Sequence, residues 1–160
     1  MIEAGQRIPD FSIKHMTAGG MEEATAADLF DGKTTVLFGL PAAFSPTCSD
    51  KHVPGYVEKA EELKAAGVDQ VVCLSVNDPW TMRAWASSLG VKDEVFMLPD
   101  GNCDLTKAMG LELDLSAINA GVRCLRFALV AKDREVQFIN LDAKPGEFGN
   151  SSAETILSKL

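Results

Sequence analysis

The sequence predicts an α/β fold with a mixed β-sheet, and a few apolar stretches carry the prediction. Residues 34–38 form an apolar run typical of a buried strand, and after a loop an apolar face with helical spacing follows. Residues 70–76 are β-rich and apolar on both faces, as in a central parallel strand. Residues 123–131 and 135–141 flank a short turn and predict a hairpin. The order βαβαβα followed by ββα is typical of a mixed-sheet α/β protein.

The other elements follow from helix and turn signals, Asp78 before Pro79 being one clear helix start. The predicted strands are short edge strands around residues 8–13 and the Gly19-Gly20 turn, and a strand at 94–98. The predicted helices are one turn at 26–30, a helix from Cys48 to about Ala66 with a kink near residues 50–54, a helix from Pro79 to Gly90 and a short helix at 104–109. A capping box at Ser151 and Glu154 predicts the start of a last helix. The kink is expected because Pro54 removes a backbone donor. Without a repeat or a linker, residues 1–160 are expected to form a single domain.

Composition and charge exclude several classes of partner. The net charge is −8 with no basic cluster, which argues against nucleic acid or an anionic membrane. No apolar run approaches the ~20 residues of a membrane span, and the first residues lack an apolar signal region. The sequence therefore predicts a cytoplasmic protein with reduced thiols. The four cysteines form neither a C-x-x-C motif nor a Cys/His set, so no zinc site is expected.

Cys48 falls near the start of the helix that follows the first buried strand. Unpaired N–H groups and the positive end of the helix dipole favour an anion there. A free thiol has a pKa of ~8.5, and helix N-termini can lower it to roughly 3.5–7.5, so Cys48 is a candidate thiolate. The alternative is a small buried hydrophobe. The polar neighbours Ser45, Thr47 and Ser49 favour an open helix start over a core position.

The residues around Cys48 resemble a known active-site signature. Pro41-x-x-x-Ser45-x-x-Cys48 is similar to the P-x-x-x-[T/S]-x-x-C motif of the peroxiredoxins, and FGLPAAFSPTCSDKHVPGY resembles their type II subfamily. CLSVNDPW, LGLELDL and RCLRFALV resemble that subfamily in the same order, so the likeness covers nearly the whole chain. Two positions depart from it: Ala42 stands where Gly is usual, and Ser45 replaces the commoner Thr.

The resemblance implies a thioredoxin-like fold and a thiol peroxidase that reduces hydrogen peroxide and alkyl hydroperoxides. Cys48 would be the nucleophile and would become a sulfenic acid. Arg126, the Ser45 hydroxyl and the N–H groups of Thr47 and Cys48 would stabilise the charge that shifts across the O–O bond. Pro41 would shield the sulfur from water. The reaction needs no metal and no organic cofactor.

Arg126 lies in an apolar strand pattern. Alternation places it on one face with Ala128 and Val130, and a buried charge there would need a partner. A structural salt bridge is the alternative to the active-site role that the resemblance implies. Cys124 is expected on the same face, and Arg123, at the strand start, is expected to be solvated.

Two other functions are left open by the residues. His52 follows Cys48 by four residues, so a Cys–His pair could serve a hydrolase. We expect packing or a local hydrogen bond for His52 instead, because Pro54 disturbs the helix and no orienting residue is evident. A non-enzymatic redox sensor or holdase could also use the oxidisable Cys48.

Recycling of Cys48 and assembly follow from the resemblance. Some type II relatives form a disulfide with a Cys at the position of Cys73, so Cys73 is a possible resolving residue, although its strand position indicates a core residue. We expect glutathione with glutaredoxin as the reductant, and thioredoxin as second choice. A homodimer is also expected, with Trp80 as a possible interface residue. Cys103 is expected to be incidental, and the Trp80/Trp85 stripe to be core or dimer surface.

Overall fold

The computed structural model describes residues 1–144 and 146–160, and its elements largely follow the predicted order. The strands are β1 (Ser12–Thr17), β2 (Gly20–Thr25), β3 (Thr34–Gly39), β4 (Gln70–Ser75), β5 (Phe96–Pro99), β6 (Glu112–Asp114), β7 (Val122–Cys124), β8 (Phe127–Lys132) and β9 (Glu135–Leu141). The helices are α1 (Ala26–Phe30), α2 (Val53–Glu58), α3 (Ala60–Ala65), α4 (Pro79–Ser88), α5 (Asp104–Ala108) and α6 (Ala153–Ser158). A π-helical turn covers Cys48–His52 and a 3-10 turn covers Ser116–Ile118.

A five-stranded mixed sheet holds the chain together, in the order β5-β4-β3-β8-β9. β4 runs parallel to β3 and β5, while β8 runs antiparallel to β3 and β9. The predicted mixed sheet is therefore confirmed. β3 lies at its centre because its residues are apolar on both faces, as Val36, Leu37 and Phe38 show.

The sheet separates two apolar clusters. One cluster holds Cys48 with residues of α2, α3, α4 and α6. The other lies beneath α1 and α5 and against the β1–β2 hairpin. Along β4 the side chains alternate between the clusters, Cys73 facing the first and Leu74 the second. Cys48 and Cys73 therefore share one side of the sheet.

The long predicted helix after Cys48 is divided in the structure. The irregularity expected near residues 50–54 is the π-helical turn, in which the Val53 N–H reaches back to the Cys48 carbonyl. Pro54 follows within the first turn of α2, where a missing N–H leaves no hydrogen bond unmade. A second break at Lys59 separates α2 from α3, and the prediction of one helix to about Ala66 was wrong.

The strand predicted at 123–131 is also interrupted. β7 pairs with β6, whereas β8 belongs to the main sheet, and Leu125 and Arg126 lie between them. The Leu125 N–H donates to the Leu111 carbonyl, and the Arg126 carbonyl accepts from the Asp142 N–H. Both residues of the break thus keep backbone hydrogen bonds outside a ladder.

Smaller boundaries also differ. β1 begins at Ser12, later than the expected 8–13 stretch, and pairs with β2 in a separate two-stranded sheet. The cap of the last helix is Ser152, whose hydroxyl accepts from the Thr155 N–H, so the predicted capping box at Ser151 was wrong by one residue. Among the residues that the structure describes, no helix is long and apolar enough to cross a membrane.

Candidate active site

The helix that carries Cys48 starts at Pro46, directly after the loop that leaves β3. Proline suits this position because the first helical N–H has no intrahelical partner. The first i to i−4 bond runs from the Ser49 N–H to the Ser45 carbonyl, at 3.0 Å. The N–H groups of Thr47 and Cys48 therefore belong to the open first turn, as the sequence predicts.

Cys48 is fully buried and faces a buried cation. Its Sγ accepts a hydrogen bond from Nη2 of Arg126 at 3.3 Å. Cys48 is 0% exposed and Arg126 2% exposed, so little water screens the pair. A positive charge this close can stabilise negative charge that develops around the sulfur during a reaction. The structure thus brings together the two residues to which the sequence analysis gave most weight.

The second amino group of Arg126 binds His52. Nη1 donates to His52 Nδ1 at 2.9 Å, and the other ring nitrogen, Nε2, lies 3.2 Å from the Ser151 carbonyl oxygen. Because a guanidinium and a carbonyl fix the donors and acceptors, Nδ1 accepts and Nε2 carries the hydrogen. The expected packing of His52 is confirmed by its ring contacts with Phe38 and Tyr56. The alternative, a local hydrogen bond, was wrong, since both hydrogen-bond partners lie far away along the chain.

The charge state of His52 follows from this setting. Burial and, to a smaller extent, the charge of Arg126 together lower the pKa of His52 to about 3, while the Ser151 carbonyl opposes the shift. The imidazole is neutral at physiological pH. Its Nδ1 lone pair is occupied by Arg126, so His52 cannot take the proton of Cys48. This geometry argues against the Cys–His hydrolase.

Ser151 and Asp142 form the layer behind His52. The Ser151 carbonyl also accepts from the Tyr56 hydroxyl at 2.7 Å. The Ser151 N–H donates to Asp142 Oδ2 at 3.1 Å, and its hydroxyl donates to the same oxygen. Asn150 donates its N–H to the other oxygen at 2.9 Å. These contacts hold the segment before α6 against the active site.

The loop between β3 and the helix is held by side chains on either side of it. The Ser45 hydroxyl donates to the Ala42 carbonyl at 2.7 Å, while Pro41 is buried. Asn77, just after β4, accepts from the Ala43 N–H at 3.1 Å. Phe44, the residue after Ala43, has a φ of 65° and an exposed ring. The loop is thus closed on itself and tied to β4.

Asn77 is a residue that the sequence analysis did not single out. Its side-chain oxygen also accepts from the Ser75 hydroxyl, which fixes the amide orientation. The available signal was its position at the carboxyl end of a buried strand, immediately before the Asp78-Pro79 helix start.

Trp85 supports the helix start from α4. It is fully buried, and its Nε1 donates to the Ser49 hydroxyl at 3.0 Å, one residue after Cys48. Trp80 is 62% exposed, so the predicted Trp80/Trp85 stripe is divided between surface and core.

The three other cysteines lie away from solvent. Cys73 is fully buried in β4, and burial raises its pKa, with a further contribution from Cys48. Cys124 lies in the cluster on the opposite side of the sheet from Arg126, so its predicted face was wrong. The break at residues 125–126 explains the error, because it interrupts the alternation. Cys103 is also buried in that cluster.

The expectation that Arg123 is solvated was wrong, because its guanidinium binds backbone carbonyls. Its Nε donates to the Ala120 carbonyl and its Nη1 to the Val76 carbonyl, both at 2.7 Å. It joins the β6–β7 hairpin to the end of β4 and takes no part in the site. Across the described residues, 1–144 and 146–160, no group of three or more His, Cys, Asp or Glu is placed to hold a metal ion.

Comparison with known proteins agrees with this geometry. A family model described as Redoxin matches residues 3–157. Peroxiredoxin-2B of Arabidopsis thaliana is 45% identical over 99% of this chain and 98% of its own length. The chloroplastic Peroxiredoxin-2E of the same plant is also 45% identical, over 99% of this chain and 69% of its own length. The structure of reduced Prx3 from Vibrio vulnificus in complex with H2O2 is 41% identical, with a TM-score of 0.93 and 99% coverage of both chains.

Proposed function

The chain belongs to the peroxiredoxins of the Redoxin family, and on that basis we propose that it is a thiol-dependent peroxidase with Cys48 as its nucleophile. Its substrates are hydrogen peroxide and alkyl hydroperoxides. The observation that carries the assignment of Cys48 is the 3.3 Å contact between its Sγ and the buried Arg126 guanidinium.

The reaction is a displacement on oxygen. The Cys48 thiolate attacks the distal peroxide oxygen, an S–O bond forms, and the O–O bond breaks. The electron pair of that bond leaves with the other oxygen, which takes a proton and departs as water or alcohol. Cys48 becomes a sulfenic acid, oxidised by two electrons. Arg126 and the N–H groups of Thr47 and Cys48 stabilise the charge that moves across the breaking bond.

The remaining site residues shape the pocket. Pro41, which is buried in the loop before Cys48, limits the access of water to the sulfur. The Ser45 hydroxyl donates to the Ala42 carbonyl, which leaves its oxygen free to accept a hydrogen bond from the peroxide. The hydroxyl hydrogen of Ser45 is thus used by Ala42, and Ser45 acts as an acceptor that orients the substrate instead of the expected donor to the charge on the breaking bond.

Removal of the Cys48 sulfur tests this function. Cys48→Ser should abolish peroxide consumption, because the hydroxyl is not ionised at neutral pH. Cys124→Ser is the matched control, since this buried thiol lies on the other side of the sheet. Wild-type turnover in Cys48→Ser would refute the assignment.

The sensor or holdase alternative predicts a different result. A protein that only senses peroxide would react slowly and would change partner binding on oxidation. Rapid, repeated turnover with a thiol-reducing system excludes that alternative. A single stoichiometric oxidation, without turnover under any reductant, would support it.

Recycling uses an external thiol, with glutathione and glutaredoxin as first candidate and thioredoxin as second. Cys73, the internal candidate, is fully buried, and a raised pKa makes its thiol a poor attacking group. Glutathione instead attacks the Cys48 sulfenic acid, releasing water and leaving a mixed disulfide. A second thiol then attacks the glutathione sulfur, forms a disulfide with it and releases the Cys48 thiolate.

Cys73→Ser separates the two cycles. It should retain most of the turnover with the glutaredoxin system, and mass spectrometry should find a Cys48–glutathione adduct after one equivalent of peroxide. A quantitative Cys48–Cys73 disulfide, with turnover lost in Cys73→Ser, would establish the internal cycle instead.

Assembly and location complete the proposal. The protein forms a homodimer through a surface that includes Trp80, whose large exposed ring at the start of α4 suits an interface. The expected location is cytoplasmic, although one of the relatives above is chloroplastic. Fractionation of cells that express the tagged protein tests that location.

A further inference from the structure

We propose that the chain has a second binding site, a cavity between α4, β1 and β5 that takes a small carboxylate with an apolar body of about six carbons. The cavity has a volume of about 180 Å³. Neither Cys48 nor Arg126 lines it, so the inference does not depend on the peroxidase reaction. Three observations support it, namely the apolar floor of the cavity, its basic rim and its size.

One face of α4 forms a wall of the cavity. The lining residues of this helix have the spacing of a single helical face; they are Pro79, Met82, Arg83 and Ala86. Ala86 has the smallest side chain of the four, and its methyl group leaves space that a longer side chain would fill. The Val91 N–H donates to the Ala86 carbonyl at 2.9 Å, which fixes the chain after α4 at the edge of the cavity. The backbone that frames the cavity is therefore held in place.

The floor of the cavity is apolar and only partly covered. Met82 and Val95 are 1% and 3% exposed, while Phe96 and Met97 of β5 are half-buried. The Phe96 ring packs against His15 of β1, with 4.8 Å between the ring centroids. Apolar side chains that face such a cavity stay in contact with water until a ligand covers them. Their burial favours the binding of a ligand with an apolar body.

The rim of the cavity is basic. Arg83 and Lys92 line it and are exposed, and none of the described residues that line it is an Asp or a Glu, in a chain whose net charge is −8. Two acids lie nearby, outside the lining: Glu94 accepts from the Lys92 N–H at 2.7 Å, and Glu22 pairs with His15 across β1 and β2. A guanidinium and an ammonium beside an apolar cavity suit a ligand with one negative charge, and the guanidinium presents two parallel donors to a carboxylate.

The size of the cavity limits the ligand. An engineered cavity of about 150 Å³ in another protein holds benzene. At about 180 Å³, the cavity beside α4 has room for a body of similar or slightly larger size. The carboxylate would lie at the rim, where water and both cations reach it. Hexanoate, a straight-chain carboxylate of this size, is therefore the matching probe.

The competing explanation is that the cavity is a gap in the packing, covered by long side chains. The aliphatic stems of Arg83 and Lys92 can lie over apolar surface while their charges stay in water. The two charges would then only add solubility, and an uncharged ligand would bind as well as a charged one. A comparison of hexanoate with 1-hexanol and acetate separates the explanations, because 1-hexanol lacks the charge and acetate lacks the apolar body.

The methionines of the chain provide the measurement. The sequence has six, and Met16, Met82 and Met97 line the cavity, so the others serve as internal controls. In protein labelled with carbon-13 at the methionine methyl groups, hexanoate that replaces chloride at constant ionic strength should shift only the NMR signals of the cavity methionines. The expected Kd is about 0.1–10 mM. 1-Hexanol should bind roughly 3- to 30-fold more weakly, the effect of two partly exposed charge contacts, and acetate more weakly still because it buries almost no apolar surface.

Variants locate the ligand within the cavity. Arg83→Gln and Lys92→Gln should each weaken hexanoate binding by roughly 2- to 5-fold and leave 1-hexanol binding unchanged, because each removes a charge and keeps a polar side chain. Ala86→Phe should abolish the binding of both ligands by filling the cavity. Ala84→Phe is the matched control, since Ala84 is exposed on the same helix and does not line the cavity.

Each result of the titration decides the proposal. Shifts confined to the cavity methionines, with hexanoate preferred over 1-hexanol, support it. No shift at ~50 mM hexanoate, equal binding of 1-hexanol, or similar shifts in every methionine signal would overturn it. The wild-type titration gives this answer even where Ala86→Phe fails to fold. Peroxide turnover is not its readout, so a failed titration leaves the function of Cys48 unaffected.

Discussion

His52 makes the stability of the folded chain depend on pH in a known direction. Its pKa is near 6.5 in the unfolded chain and about 3 in the folded one. Below pH 6.5 the unfolded chain therefore binds a proton that the folded chain does not. The contribution of His52 to the free energy of unfolding is complete above pH 6.5 and is lost as the pH falls toward 3.

Urea denaturation at pH 7 and pH 5 measures this effect. The wild-type free energy of unfolding should fall by up to ~2 kcal/mol more than that of His52→Asn over this interval, at roughly 1.4 kcal/mol per pH unit below 6.5. The two proteins differ only at residue 52, so the difference between their pH dependences belongs to His52. Identical pH dependence in both proteins would show that the pKa of His52 is the same in the folded and the unfolded chain.

Residue-level prediction succeeded where a short stretch of sequence contains the information. Cys48 follows a buried strand and a proline at a helix start, and all of these signals lie within about a dozen residues. His52 shows the limit, since its partners Arg126 and Ser151 are 74 and 99 residues away. No local pattern reports such contacts. Ser151 and Ser152 show another limit, because two adjacent serines are equally good helix caps.

At the scale of the elements, a glycine in β3 allows the side chains of β8 to pack closely against β3. Gly39 lies opposite Phe127, and a Cβ at position 39 would stand 2.2 Å from the Phe127 ring and 2.9 Å from Cys124 Sγ. Phe127 directly follows Arg126, so a shift of its ring moves the backbone that carries the guanidinium. Gly39 thus permits the close approach that places Arg126.

Gly39→Ala tests this packing. The substitution should lower the free energy of unfolding by ~1–3 kcal/mol, the usual cost of overpacking, and should slow Cys48 oxidation as well. Gly55→Ala is the matched control, because nothing lies within 4 Å of a Cβ there and alanine suits the helix α2 better by ~0.5–1 kcal/mol. A Gly39→Ala protein as stable and fast as wild type would contradict the packing argument.

Element boundaries were predicted well where Gly, Pro or Asp marks them and poorly elsewhere. The start of α4 after Asp78 follows such a signal. The breaks at Lys59 and at Leu125–Arg126 occur in residue types that suit a helix and a strand respectively. Tertiary contacts accompany the second break, since the Leu125 N–H donates to the Leu111 carbonyl and the Arg126 carbonyl accepts from the Asp142 N–H.

At the scale of the whole molecule, the exposed ring of Trp80 makes dimerisation testable. Trp80→Lys should weaken the proposed homodimer by placing a charge in its interface, and sedimentation at micromolar concentration should then show more monomer. Leu160→Lys is the control, since Leu160 is also exposed but lines a groove with Thr34, at the opposite end of β3 from the active site. A wild-type protein that sediments only as a monomer would refute the dimer.

Because Trp85 donates a hydrogen bond to Ser49, its fluorescence can report on the structure of the turn that carries Cys48. Tryptophan fluorescence depends on the polarity around the ring, and this ring is fully buried and donates a hydrogen bond to Ser49, the residue after Cys48. Any unwinding of the turn that accompanies oxidation of Cys48 would expose Trp85 to water and shift its emission to longer wavelength. In a Trp80→Phe background the signal belongs to Trp85 alone, so each step of the catalytic cycle can be followed in real time without a label.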